Sequence, residues 1–112
     1  MKEANLMRRL MLAIGQRATV WRNNIGTARY PDGATVRYGV AHPGGSDLIG
    51  LRSVTVTPDM VGQRLAQFVA IEVKTPDGRL TPDQERFLAF VRDAGGIALV
   101  ARSEADLSAL DG

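Results

Sequence analysis

A chain of 112 residues and 12.1 kDa is sized for one domain. Its 45% hydrophobic and 23% charged residues exclude disordered, collagen-like and coiled-coil classes. No cysteine and one histidine, His42, exclude disulfide frameworks, zinc fingers, thiol nucleophiles and His-rich metal sites, and they make a Ser-His-Asp triad a poor candidate.

The net charge of +2 hides a split. Residues 1–45 hold seven basic side chains against two acidic ones, whereas residues 46–112 hold seven against ten. Twelve of the 14 basic residues are arginine, whose planar fork binds phosphate bidentately. The basic first part therefore fits a polyanionic partner, or else reflects a compositional preference for arginine. No apolar run approaches the roughly 20 residues that cross a bilayer. Met1-Lys2-Glu3, followed by an arginine-interrupted stretch, lacks a secretory pattern.

Leu6, Met7, Leu10, Met11 and Ile14 recur at helical spacing and predict an amphipathic helix over residues 3–14, stopped by Gly15. Ala18 to Asn23 has strand composition around Val20 and Trp21. Gly26 to Gly45 is loop-rich, punctuated by Pro31-Asp32-Gly33 and Pro43-Gly44-Gly45, with a short strand around Val36 to Val40. Ser46 to Thr57 reads as extended, and Val54-Thr55-Val56-Thr57 is strongly β-prone. Pro58 to Gly62 turns the chain, and Leu65 to Lys74 is the next strand, expected antiparallel to the one before it.

The second helix has clear punctuation. Thr81 is its N-cap, Pro82 takes the first helical position, and Gln84 completes a capping box. Phe87, Leu88, Val91 and Ala94 form the stripe expected to be buried, and Gly95-Gly96 ends the helix. Ile97 to Ala101 is a short buried strand, and Ser103 caps a closing helix that ends near Leu110. The expected fold is one α/β domain over residues 1–112, with a central mixed β-sheet flanked by helices.

Strand 65–74 carries the candidate chemistry. Side chains alternate, so Val69, Ile71 and Val73 share one face while Phe68, Ala70, Glu72 and Lys74 share the other. Charges at the end of so apolar a strand are costly unless paired or ligand-bound. If segments 47–57 and 65–74 form an antiparallel hairpin, Asp47 comes beside Glu72. Two carboxylates bind a hard divalent cation through oxygen and leave positions for water and a phosphate. The plainer alternative is a solvated Glu72–Lys74 pair and a turn aspartate.

Gly45-Ser46-Asp47-Leu48-Ile49-Gly50, then Ile71-Glu72-Val73-Lys74, then Gly78-Arg79-Leu80-Thr81-Pro82-Asp83-Gln84, together with Trp21-Arg22-Asn23-Asn24-Ile25-Gly26, resembles the VRR-Nuc family of the PD-(D/E)xK nuclease superfamily, in its stand-alone, phage-type form. The superfamily's proline before the aspartate is Ser46 here. The resemblance implies a restriction-endonuclease-like core and a Mg²⁺- or Mn²⁺-dependent endonuclease. Asp47 and Glu72 would bind the metal with the Val73 carbonyl, and Lys74 would orient or activate the attacking water. Glu3, on the first helix, would add a carboxylate, unless it only complements the helix dipole. Gln84 would support the catalytic strand or contact phosphate. Arg22, Asn23, Asn24, Arg29, Ser46 and Arg79 are the candidate DNA contacts. Branched DNA such as a four-way junction, cut by a homodimer in the cytoplasm of a bacterial host by a phage or prophage protein, follows by the same analogy. A non-catalytic DNA-binding or accessory subunit on a nuclease fold is the alternative.

Overall fold

Two α-helices and three strand pairs order this computed structural model, which describes residues 2–111. The chain divides into two compact units, Met1–Arg52 and Ser53–Gly112.

The first unit begins with α1 (Glu3–Ile14), which packs on β1 (Thr19–Arg22). Met7, Met11 and Ile14 form its half-buried stripe, whereas Leu6 and Leu10 are exposed, so the apolar face is narrower than the sequence spacing predicts. β1 pairs antiparallel with β4 (Leu48–Leu51), Trp21 standing opposite Ile49. Between them lies a ribbon of β2 (Gly26–Arg29) and β3 (Thr35–Tyr38), antiparallel, with Thr27 opposite Arg37. The sequence predicts β3 but reads β2 as loop, because Gly-Thr-Ala-Arg has little intrinsic strand preference. The Tyr38 ring lies across Gly26, so a Cβ there would require the half-exposed tyrosine side chain to shift.

The second unit is organised around a β–α–β crossover. β5 (Val69–Val73) is followed by α2 (Pro82–Asp93) and then by β6 (Ile97–Ala101), which pairs parallel to β5, Glu72 standing opposite Val100. Parallel pairing requires such a long connection, and the helix supplies it. Ala70, Leu88 and Val91 form the buried centre, with Phe68, Leu80, Ala98 and Val100 packed around it. α2 therefore covers the β5 face that carries Ala70, and the valine-isoleucine face is exposed. Gly95, at φ +103°, reverses the chain after α2 in a conformation that favours glycine. Short 3-10 segments at Pro58–Met60 and Glu104–Leu110 complete the unit.

The structure corrects several expectations. In place of one central mixed sheet, the described residues form three two-stranded pairs. The expected hairpin of 47–57 with 65–74 is not formed, since β4 pairs with β1 and β5 with β6. The β-prone Val54–Thr57 lies outside every strand, and the strand predicted from Leu65 starts only at Val69. Phe87, expected in the buried stripe of α2, is 40% exposed. The closing helix is 3-10 rather than α.

Candidate active site

Alternation along β5 puts Glu72 on the same face as buried Ala70, and Lys74 follows two residues later, just past the strand's end. The Lys74 amide still donates to the Ala101 carbonyl at 3.1 Å, so the backbone remains in ladder geometry there. Both charged side chains are consequently drawn to the side that α2 covers. They are half-buried, at 32% exposure for Glu72 and 20% for Lys74.

The helix start meets them. Thr81 caps α2 by accepting from the Gln84 amide at 3.2 Å, and Gln84 Oε1 accepts from the Thr81 amide at 2.9 Å. That leaves the Gln84 Nε2 hydrogens free, and Nε2 donates to Glu72 Oε1 at 2.9 Å. The cap and the contact to the β5 carboxylate are thus made by the two ends of one amide. Its orientation is chemically dictated, because only the oxygen can accept from Thr81 and only the nitrogen can donate to a carboxylate.

Lys74 Nζ lies 3.7 Å from the same Oε1 of Glu72. At that distance, with both groups partly in water, the pair contributes no more than about 1 kcal/mol. Donor and cation thus converge on one oxygen of Glu72, and Oε2 has no protein partner among the described residues. Glu72, Gln84 and Asp83 line the polar side of a cavity of about 450 Å³ whose apolar wall includes Phe68 and Phe87. Asp83 is itself paired with Arg86.

In the first unit, Asp47 is exposed immediately before β4, and its carbonyl accepts from the Asn23 amide at 2.9 Å. The Asn23 side chain is an internal tie. Nδ2 donates to the carbonyls of Val40 (2.9 Å) and Ser46 (3.1 Å), while Oδ1 accepts from the Val40 amide at 2.8 Å. Both amide hydrogens are therefore engaged within the protein, and their geometry fixes the loop that leads into Asp47. Glu3 is exposed as the first residue of α1. Arg22, Asn24, Arg29 and Ser46 are exposed in the same unit, and Arg79 is exposed in the second, between β5 and α2. Val73, the last residue of β5, points its side chain to the exposed face.

One residue with no sequence signal stands out. Arg102 Nη1 donates to the carbonyls of Thr75 (2.7 Å), Pro76 (3.3 Å) and Gly78 (2.6 Å), clamping the turn directly after Lys74. Arg102 is held in turn by Asp106, whose Oδ2 accepts from the Arg102 amide at 2.8 Å. Backbone carbonyls leave no mark in sequence, so this clamp is visible only in three dimensions.

Within either unit, no three His, Asp or Glu side chains gather among the described residues. At the β5–α2 site the donor facing the cavity is a carboxylate oxygen, Glu72 Oε2, which suits a hard divalent cation better than a soft metal. No described helix is long and apolar enough to cross a membrane.

Comparison with known proteins finds that the sequence model described as the VRR-NUC domain matches residues 8–105. No curated protein and no solved structure matches the chain.

Proposed function

The chain belongs to the VRR-NUC domain family, a nuclease domain family whose substrate is DNA, and from that premise we propose that it is a divalent-metal-dependent endonuclease with a restriction-endonuclease-like core over residues 1–112, acting on branched DNA as a homodimer. The observation that supports a catalytic rather than a merely binding role is the state of Glu72. One oxygen is fixed by Gln84 Nε2 at 2.9 Å, and the other is left without a protein partner beside a cavity. Glu72 is 32% exposed, so the held oxygen fixes the carboxylate's direction while the second oxygen stays open to solvent, where a ligand can displace water.

In the proposed mechanism Glu72 and the Val73 carbonyl would hold Mg²⁺ or Mn²⁺. Asp47, with Glu3 as an additional carboxylate, is assigned a metal-ligand role on the sequence resemblance. When bound, the cation supplies charge neutralisation at the scissile phosphate. Gln84 keeps Glu72 in one rotamer, so the open oxygen need not be ordered during the reaction. Lys74, weakly paired and followed by the Arg102-clamped turn, orients the attacking water and balances negative charge that accumulates on the phosphoryl oxygens. Attack at phosphorus with departure of the 3′-oxygen leaves a 5′-phosphate end. Arg22, Asn24, Arg29, Ser46 and Arg79 are placed on phosphates of the substrate. Asn23 contributes through its loop ties and its position between Arg22 and Asn24.

The test is cleavage of a labelled four-way junction, a matched linear duplex and a single strand with Mg²⁺, Mn²⁺ or EDTA, beside Glu72→Ala. Metal-dependent junction cutting that the variant lacks, with unchanged circular dichroism, is the expected result. Equal cutting of all three substrates removes the preference for branched DNA and keeps the nuclease. Binding without cutting under either metal overturns catalysis in favour of a DNA-binding subunit.

A further inference from the structure

The β2–β3 ribbon sorts its side chains by face. With Thr27 opposite Arg37 and Arg29 opposite Thr35, all four of these residues stand on one side, and Gly26, Ala28, Val36 and Tyr38 stand on the other. The first face holds two guanidiniums, two hydroxyls and no carboxylate. Every residue on it is exposed, and no other helix or strand of the first unit packs against the ribbon. Neither Arg29 nor Arg37 has an ion-pair or hydrogen-bond partner among the described residues.

Two unpaired arginines on one ribbon face are a cost without a return inside the protein. Arg29 and Arg37 are diagonal neighbours, roughly 7–8 Å apart at the backbone, close enough for their like charges to repel. A neutral residue at either position would remove that repulsion from the ribbon. Its tip is closed by the Tyr30 amide donating to the Ala34 carbonyl at 2.8 Å and the Ala34 amide donating to Asp32 Oδ1 at 2.9 Å. Four-residue strands span about 13 Å, enough to lie along the phosphates of a duplex backbone.

From this face we infer that the β2–β3 ribbon is the element that seats duplex DNA, Arg29 and Arg37 each neutralising a phosphate and Thr27 and Thr35 donating hydrogen bonds to the backbone. The inference rests on the DNA-nuclease function proposed above. It extends that function by adding Arg37, Thr27 and Thr35, and by assigning substrate seating to one substructure. Arginine and threonine on phosphate position a duplex without reading its bases. The ribbon therefore sets where the DNA lies, and sequence preference is absent from it.

The experiment is equilibrium binding of the full chain to a labelled linear duplex in EDTA, over a range of salt concentrations, for the wild type, Arg29→Ala, Arg37→Ala, the double variant and Arg37→Lys. Each phosphate contact adds about 0.9 to the slope of log affinity against log salt. Each single alanine variant is expected to lower that slope by about 0.9, the double variant by about 1.8, and Arg37→Lys to keep it. Arg64→Ala, an equal charge change in the other unit, is expected to leave the slope unchanged. Equal slope losses in Arg64→Ala and the ribbon variants overturn the inference, because net charge alone would then account for binding. Unchanged slopes in the ribbon variants, or no duplex binding by the wild type, overturn it as well. Cleavage with metal, measured separately, keeps the two proposals apart: the ribbon can fail while cutting persists, and cutting can fail while the ribbon binds.

Discussion

Replacing Gln84 by alanine removes two side-chain hydrogen bonds of 2.9 Å, one to the Thr81 amide and one to Glu72 Oε1, while the Gln84 backbone amide still reaches Thr81 Oγ1. The capping bond is exposed and contributes about 1 kcal/mol. A hydrogen bond to a charged group contributes about 1.5–3 kcal/mol when fully engaged. Glu72 is 32% exposed, so water recovers part of it and about 1 kcal/mol is left. Gln84→Ala should therefore destabilise the protein by about 2 kcal/mol in urea unfolding, with an unchanged denaturant slope. Thr81→Ala loses only the cap and should cost about 1 kcal/mol. The two variants should separate further in activity. Gln84→Ala frees the Glu72 carboxylate to change rotamer and should slow cleavage about tenfold, the loss expected when roughly 1.4 kcal/mol of positioning disappears. Thr81→Ala should stay within about twofold. A double-mutant cycle of Gln84→Ala with Glu72→Ala should return a coupling of about 1 kcal/mol. Zero coupling, or equal cleavage rates for Gln84→Ala and Thr81→Ala, would refute the bridge.

Three further outcomes follow from contacts already described. Lys74→Ala should abolish cleavage yet change stability by less than about 1 kcal/mol, because its partner is 3.7 Å away and partly hydrated; a large loss of stability in urea would show the pair to be structural. Asn23→Ala leaves the Val40 amide and the carbonyls of Val40 and Ser46 without their partner. It should cost about 1–3 kcal/mol and raise the Mg²⁺ concentration for half-maximal cutting, as the loop before Asp47 loosens; an unchanged metal titration would separate the loop from the cation. Arg102→Ala should speed amide hydrogen exchange across residues 75–78 and lower the cleavage rate without altering duplex affinity, and Arg102→Lys should rescue only part of it, since an ammonium lacks the fork's fixed geometry.

Much of the second unit was legible in the sequence because its signals are local. Thr81, Pro82 and Gln84 define a helix start through bonds spanning three residues, and the structure has that capping box. Glu72 and Lys74 had to share a face because strand side chains alternate. β6 was visible as a short apolar run between Gly96 and Arg102. The first unit was less legible. β2 carries no strand composition and exists because β3 offers it a ladder. Asn23 read as a candidate DNA contact beside an arginine, yet its amide is turned inward by partners 17 and 23 residues away.

By itself, then, the sequence determined the family, the capping box of α2 and the alternation of β5, all properties of residue type and of spacing over a few positions. Tertiary structure alone decided which strands pair and which face of β5 is covered. Val54–Thr57 has strong β propensity and stays outside every strand, whereas Gly26–Arg29 has little and is paired. Ladder hydrogen bonds need a partner strand, and propensity cannot supply one. The same holds for the site. Gln84 reaches Glu72 only because packing of Leu88 and Val91 over Ala70 lays the start of α2 against β5. Twelve residues of chain separation are closed there by burial of apolar surface, a force that fixes proximity without leaving its own motif in the sequence.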